Sequence, residues 1–370
     1  LEKLSSESLM RRALDLARKG QGRTAPNPMV GAVITHQGQV VGEGYHRQAG
    51  KPHAEIEALR QAGSRARGGR LVLNLEPCCH QGRTPPCTDA IIKSGIREVV
   101  VGLRDPNPKV RGKGIRALKR HGIKVLTGVM KAECEVLNEV FLKYITTARP
   151  FVILKSAISL DGKIATDAGN SRWITGPEAR QKVHQLRHQV GAILVGAGTV
   201  LKDDPQLTTR LKNGTGNHPV RVILDNEGLI PYTARVFKNA SRQPVIYVTS
   251  RQAPASRIQR LQRMAVEVWV LPEKDGGVHF PKLMQKLAER ELTSVMIEGG
   301  GRVNASALKS KVVDKIVWFM APILIGGTRS PNVVQGAGIR HLQDAFKIKK
   351  LRVEPIGTDW VIEGYLKSDP

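Results

Sequence analysis

At 370 residues the chain is long enough for two ordinary domains, each with a core of its own. Its 41% hydrophobic and 24% charged residues are those of a globular protein. No run reaches the roughly 18 uncharged apolar residues of a membrane-spanning helix, so no membrane partner is expected. The net charge of +26 points to anionic ligands, but 4% aromatic residues leave few platforms for stacking single-stranded nucleic acid. Phosphorylated small molecules and a dinucleotide account for the charge equally well, and no nucleic-acid partner is expected.

Near the start, Leu9, Ala13, Leu16 and Ala17 fall on one helical face, which predicts an amphipathic surface helix. Glu2, Glu7 and Asp15 speak against a transit segment, which is poor in acids. Strands are expected at 29–35 and 40–45 around a His36-Gln37-Gly38-Gln39 turn, then a helix at 53–61 closed by Gly63. A strand at 71–75, a helix at 88–93 ending at Gly95, a strand at 98–101, a helix near 113–120, a strand at 123–126 and a helix over 131–144 follow. This alternation implies a mixed sheet covered by helices on both faces. Thr146-Thr147-Ala148-Arg149-Pro150 breaks the rhythm and predicts a linker between domains at 1–147 and 150–370. A second α/β pattern then runs through strands at 151–157, 192–195, 220–224, 245–249, 266–271, 295–297 and 316–319. Helices at 178–189, 256–264, 281–291 and 304–309 lie between most of them. Lys347-Ile348-Lys349-Lys350-Leu351-Arg352 alternates basic with apolar residues and reads as the solvated face of a strand.

Of four cysteines, Cys78, Cys79 and Cys87 crowd together and Cys134 stands alone, a poor disulfide framework and a reasonable metal cluster. A reducing, cytoplasmic compartment is expected. His53-Ala54-Glu55, followed by Pro77-Cys78 and then Cys87, is the strongest signal in the chain. One His and two Cys at helix starts supply three zinc ligands, leaving a fourth position for water. Glu55 is placed to reach that water without joining the ligands, the arrangement of zinc-dependent base deaminases. Pro77-Cys78 holds the motif's ligand position, so Cys78 rather than Cys79 is expected to bind.

The eight residues between Cys78 and Cys87, against two in the common signature, carry a resemblance to the deaminase half of the bifunctional riboflavin-biosynthesis deaminase/reductase family. That family's insert PCSHxGRTPPC is matched except that Cys79 replaces the serine, and the likeness extends through Pro26-Asn27-Pro28-Met29-Val30-Gly31, Gly42-Glu43-Gly44-Tyr45-His46 and Asp105-Pro106-Asn107-Pro108. It implies a cytidine-deaminase-like three-layer α/β/α domain, with Asn27, His46, His80, Arg83, Asp105 and Asn107 at the substrate. The amide of Asn27 suits a ring's donor–acceptor edge. His46, His80 and Arg83 suit a substrate phosphate, and each is equally compatible with a surface role.

The second half carries Leu154-Lys155-Ser156-Ala157, Ser159-Leu160-Asp161-Gly162, Ser171-Arg172-Trp173-Ile174-Thr175, Val195-Gly196-Ala197-Gly198-Thr199, Asp203-Asp204-Pro205-Gln206-Leu207 and Ile297-Glu298-Gly299-Gly300-Gly301. These resemble the reductase half of the same family and imply a dihydrofolate-reductase-like domain using NADPH. A strand running into Gly299-Gly300-Gly301 and then a helix suits a pyrophosphate, although a Gly-rich turn alone is a weak signal. The resemblance implies cofactor contacts at Ala157, Trp173, Thr175, Thr199, Asn226, Gly299, Gly300 and Gly301. It implies substrate contacts at Ser171, Arg187, Asp203, Leu207, Arg210 and Glu298, with Lys155 and Glu298 at the reacting centre. Thr249-Ser250-Arg251 at a strand end is a donor cluster for the cofactor's ribose phosphate, or a polar turn.

The expected function is deamination of a phosphoribosylated diaminopyrimidinone followed by reduction of its ribosyl chain, in a homo-oligomer. A nucleic-acid (tRNA-editing) deaminase with a basic accessory domain would explain the charge, but it predicts a two-residue Cys spacing and no reductase motifs. A basic RNA-binding protein with an inactive deaminase fold would not need Glu55 and three intact ligands.

Overall fold

A computed structural model describes residues 5–81, 85–212, 214, 216–274 and 276–366. The chain divides into two compact units, Leu1–Ala148 and Arg149–Pro370. No helix among the described residues is long and apolar enough to cross a membrane.

The first unit opens with α1 (Ser6–Arg18), capped by the Ser5 side chain accepting from the Ser8 N–H, and it buries Leu9, Met10, Ala13, Leu14, Leu16 and Ala17 as its amphipathic pattern predicts. A five-stranded mixed sheet follows, built from β1 (Gly31–His36), β2 (Gln39–Tyr45), β3 (Arg70–Leu75), β4 (Glu98–Leu103) and β5 (Lys124–Thr127) in the order β2-β1-β3-β4-β5. The pairs β1–β2 and β1–β3 are antiparallel, and β3–β4 and β4–β5 parallel. Alternation splits its side chains between two cores. Ala32, Ile34, Leu71, Leu73, Val99 and Val101 pack with α2 (Ala54–Ala62), α3 (Cys87–Ser94) and α4 (Lys113–Arg120) on one face. Val33, Val72 and Val100 pack with α1, α5 (Lys131–Leu137) and α6 (Glu139–Thr147) on the other.

Helix α2 lies unusually close to the sheet. A Cβ at Gly42 or Gly44 would stand 2.3 Å from the Ala58 carbonyl oxygen or 2.4 Å from that of Ala54. Glycine on the strand and alanine on the helix thus set the depth of α2, and with it the position of His53 at its N-terminus.

Two expectations need correction here, and one residue explains both. The first strand begins at Gly31 rather than Met29, and the predicted helix over 131–144 is two helices broken at Asn138. The Asn138 side chain accepts from the Met29 N–H (2.8 Å) and donates to the Met29 carbonyl (3.0 Å). Asn74 also donates to that carbonyl (2.9 Å) and accepts from Gly31 N–H (2.8 Å). Side-chain amides take the bonds a strand ladder would have used, and Asn138 leaves helical geometry at φ −107°, ψ 18° to deliver one of them. Helix α6 also continues through Thr147, so Thr146 and Thr147 are helical rather than linker.

The second unit is a nine-stranded sheet with helices between its parallel strands. Its strands are β6 (Phe151–Ser159), β7 (Ala192–Gly196), β8 (Val220–Leu224), β9 (Val245–Thr249), β10 (Glu267–Val270), β13 (Ser294–Ile297), β14 (Lys315–Ala321), β15 (Ile348–Ile356) and β16 (Asp359–Leu366), with β11 (Glu273–Lys274) and β12 (Gly277–Val278) forming a separate ribbon. The order is β10-β9-β8-β7-β13-β6-β14-β16-β15, parallel up to β14 and antiparallel through β16 and β15. Helices α7 (Pro177–Gln189), α8 (Ala197–Asp203), α9 (Ala255–Arg263), α10 (Phe280–Glu289) and α11 (Gly301–Lys309) connect them. The basic run at 347–352 enters edge strand β15, whose residues are almost all exposed. Charge along an edge strand discourages unwanted pairing. In a parallel sheet the strands' carboxyl ends face one crevice, and the glycine loops after β7 and β13 sit there side by side.

Candidate active sites

In the first unit, the N-termini of α2 and α3 meet the loop after β3. His53 caps α2 with extended backbone, and Cys87 opens α3 behind Pro86. His53 Nδ1 lies 3.6 Å from Cys78 Sγ and 3.3 Å from Cys87 Sγ, and the three ligand atoms lie within 4.8 Å of one another. A tetrahedral zinc with Zn–S near 2.3 Å and Zn–N near 2.0 Å separates N from S by about 3.5 Å, so this donor set fits that ion. The Cys87 backbone N–H also donates to Cys78 Sγ at 3.4 Å. Hydrogen bonding from Cys87 holds the Cys78 thiol down to about 4 against burial, with His53 adding to the effect. Cys87 keeps the shared proton and moves up. Cys79 points instead toward the Lys109 carbonyl, 3.9 Å away.

Glu55 stands in the first turn of α2 at 3% exposure, and burial, with the negative Cys78 beside it, pushes its pKa up to about 7. The ring of His46 packs edge-on to His53, with centroids 5.2 Å apart. His46 itself is 2% exposed, and burial lowers its pKa. One bond links it to Asn27. The buried Nδ1 of His80 has no hydrogen-bond partner among the described residues, and Arg83 lies outside them.

Glu76, just before the Pro77-Cys78 ligand segment, escaped the sequence reading. Its carboxylate accepts the backbone N–H groups of Asp105 (3.2 Å), Gly112 (3.0 Å) and Ile115 (3.1 Å). It therefore ties the Asp105–Asn107 loop and the start of α4 to the metal segment. Asp105 accepts the Asn107 N–H at 2.8 Å, and burial pushes its carboxyl up to about 6.

In the second unit, β6, β13 and α7 bring together Lys155, Glu298 and Arg187. Glu298 accepts from Arg187 Nε (2.9 Å) and Nη2 (2.8 Å), and Lys155 Nζ lies 3.6 Å from its Oε2. Burial alone would raise the Glu298 pKa, but Arg187 and Lys155 overcome it and hold the carboxyl down to about 2. Lys155 is pulled down by burial, with Glu298 opposing and Arg187 reinforcing the shift. Arg187 also donates to the Thr208 carbonyl (3.2 Å), and Arg210 donates to Thr208 Oγ1 (3.0 Å). His184, one turn before Arg187, accepts the Arg210 N–H and is held down to about 4 by burial, then by Arg187 and Arg210. Its spacing from Arg187 on a helix was the overlooked signal.

Ser171 Oγ donates to Asp203 at 3.4 Å, Leu207 is buried at φ +55°, and Ala157 shares the less buried face of β6 with Lys155. At the two glycine loops, a Cβ on Gly299 or Gly196 would stand 2.7 Å from Val303, one on Gly301 would stand 2.4 Å from the Asn332 carbonyl oxygen, and one on Gly300 would come to 3.9 Å from Thr199 Oγ1. Thr199 and Gly299–Gly301 thus converge. Trp173 is 70% exposed with the Arg180 guanidinium 4.6 Å above its ring, and Thr175 is buried. The predicted donor cluster Thr249-Ser250-Arg251 is largely engaged elsewhere. Thr249 Oγ1 donates to the Asp225 carbonyl (2.8 Å) and Ser250 Oγ to that of Asn226 (3.3 Å), which leaves Arg251 as the exposed member.

Residues 150–362 match the RibD C-terminal domain, and residues 4–103 match the cytidine and deoxycytidylate deaminase zinc-binding region. The riboflavin biosynthesis protein RibD of Aquifex aeolicus is 46% identical over 96% of this chain and 97% of its own length. This chain belongs to the RibD family. That of Escherichia coli is 37% identical, covering 96% of this chain and 98% of its own. Among solved structures, RibD of Acinetobacter baumannii superposes with a TM-score of 0.87 at 36% identity, covering 98% of this chain and 99% of that one. The diaminohydroxyphosphoribosylaminopyrimidine deaminase/5-amino-6-(5-phosphoribosylamino)uracil reductase of Thermotoga maritima gives 0.86 at 40% identity with the same coverage. The RibD family likeness spans both units, so the rival of an editing deaminase with an unrelated basic domain falls away.

Proposed function

We propose that the chain catalyses two consecutive steps of riboflavin synthesis. Its first unit deaminates 2,5-diamino-6-(5-phosphoribosylamino)pyrimidin-4(3H)-one, and its second reduces the ribosyl chain of the product to ribityl with NADPH. The convergence of His53, Cys78 and Cys87 beside buried Glu55 carries the reading, within a chain of the RibD family.

His53, Cys78 and Cys87 would hold zinc, which when bound supplies the Lewis acidity that makes water nucleophilic near neutral pH. Glu55 takes a proton from the attacking water as its oxygen bonds to the amine-bearing ring carbon. It then passes that proton to the departing amine, the carbon–nitrogen bond breaks, the second water proton moves to the ring nitrogen, and ammonia leaves behind a ring carbonyl. A carboxylate whose pKa is raised by burial suits such a shuttle. Glu76 holds the Asp105–Asn107 loop against the ligand segment, where those side chains line the ring.

In the second unit the Gly299–Gly301 loop and Thr199 would hold the NADPH phosphates, and Ala157, Trp173, Thr175 and Asn226 the rest of the cofactor, which when bound supplies hydride. Lys155, anchored by Glu298, faces the sugar oxygens as the first ribosyl carbon is reduced. Ser171, Arg187, Asp203, Leu207 and Arg210 form the sugar-phosphate side. The test is Glu55→Gln. It should retain one zinc per chain, lose ammonia release by roughly 10²–10⁴-fold, and still oxidise NADPH when given the deaminated intermediate. Undiminished ammonia release in that variant would remove the mechanism.

A further inference from the structure

Beside the ligand cluster, a short series of hydrogen bonds ends on one unused acceptor. His46, just after β2, is 2% exposed, and its Nδ1 lies 3.1 Å from the Pro52 carbonyl oxygen. A carbonyl can only accept, so Nδ1 carries the proton. The Asn27 amide stands against the other ring nitrogen, and an amide NH2 can only donate, so Nε2 accepts. Asn27 Nδ2 lies 3.1 Å from that Nε2. The amide must therefore turn its NH2 toward His46 and its Oδ1 away. No bond among the described residues engages that Oδ1.

The backbone next to Asn27 is held as firmly as its side chain. The Met29 N–H and carbonyl are taken by the buried Asn138 and Asn74 amides, and the Asn27 N–H donates to the Thr24 carbonyl at 2.8 Å. Asn27 thus stands one side chain away from a metal ligand with its orientation fixed from both ends. Had the Nε2–H tautomer formed instead, two lone pairs would face each other at Pro52 and the amide would be free to turn.

We propose that His46 is a positioning residue that locks the Asn27 amide with its carbonyl oxygen toward the ring, so that the site selects a heterocycle presenting an N–H donor at that edge. This assignment rests on the deaminase reading above. The diaminopyrimidinone offers such donors in its amines and ring N–H. A ring with only acceptors at that edge would set lone pair against lone pair and be rejected.

Two replacements of similar size separate this role from packing. His46→Gln keeps one donor and one acceptor, and His46→Leu keeps only bulk. In the zinc-loaded full chain, His46→Leu should raise KM for the diaminopyrimidinone by roughly tenfold or more with kcat changed far less, while His46→Gln stays within about threefold of wild type. Equal losses in both variants would overturn the proposal in favour of packing. A readout independent of any variant is 15N NMR of histidine-labelled wild-type protein, which should show His46 as the Nδ1–H tautomer. The Nε2–H tautomer would overturn it. Wild-type protein that releases no ammonia would overturn the deaminase reading, and the tautomer would still decide the His46 assignment.

Discussion

Glu298→Gln is the most informative single change in the second unit, because the structure sets its size. The wild-type carboxylate is 10% exposed and faces two cations that are themselves 12% and 13% exposed, Arg187 and Lys155. Glutamine keeps the shape but removes the carboxylate charge that balances them, and its NH2 turns a donor toward the Arg187 guanidinium. Breaking a buried pair in this way costs about 3–5 kcal/mol, because the remaining charge stays desolvated. For a unit the size of Arg149–Pro370, each kcal/mol moves Tm by about 2–4 °C, so its transition should fall by roughly 10 °C. The first unit has cores of its own, so its transition and ammonia release should stay in place. Calorimetry resolves the two transitions, and NADPH oxidation reports on Lys155. Adding Arg187→Met to Glu298→Gln should return part of the lost stability, since one unbalanced cation disappears. An unchanged second transition, or no recovery in the double variant, would refute the view that this ion group is dry and mutually dependent. Acidification should act in the same sense. A carboxyl held down to about 2 contributes stability that is complete above its ordinary value of 4.5 and is lost as the pH falls toward 2.

Two further outcomes follow from the geometry. Cys79→Ser should leave zinc content unchanged by metal analysis, since that thiol points toward the Lys109 carbonyl; loss of zinc would make Cys79 the ligand. His184 is held neutral down to about 4, against an ordinary 6.5, so the unfolded chain takes up a proton first. Stability of the second unit should therefore decline from pH 6.5 to 4, and His184→Gln should flatten that decline in a urea titration at each pH.

Much of the fold was legible because strand and helix periods differ. In the first unit the alternating Val, Ile and Leu positions of β3 and β4 fed two cores, and α1 showed its apolar face in four residues. What failed to show was any place where a side chain displaced the backbone ladder. Asn138 sits 109 residues from Met29, and nothing near either residue announces that one amide will end a strand and break a helix. Strand β16 went unread for a related reason. Only Asp359, Val361 and Gly364 are buried in it, so its pattern is thin, and its pairing with β14 follows from topology rather than local sequence.

The metal cluster stands out in the sequence because its chemistry needs rare residue types at helix starts, and His53, Glu55, Cys78 and Cys87 carry that pattern. The residues that orient them were invisible for the opposite reason. Glu76, Asn74 and Asn138 are common polar residues whose partners are backbone groups, and backbone groups leave no trace in a sequence. His46 lies between these cases. Its type suggested a ligand for phosphate, and only its burial and the Pro52 carbonyl show which ring nitrogen is left to face Asn27. A polar residue's chemical type thus gives the roles open to it. The closed shell around it selects one.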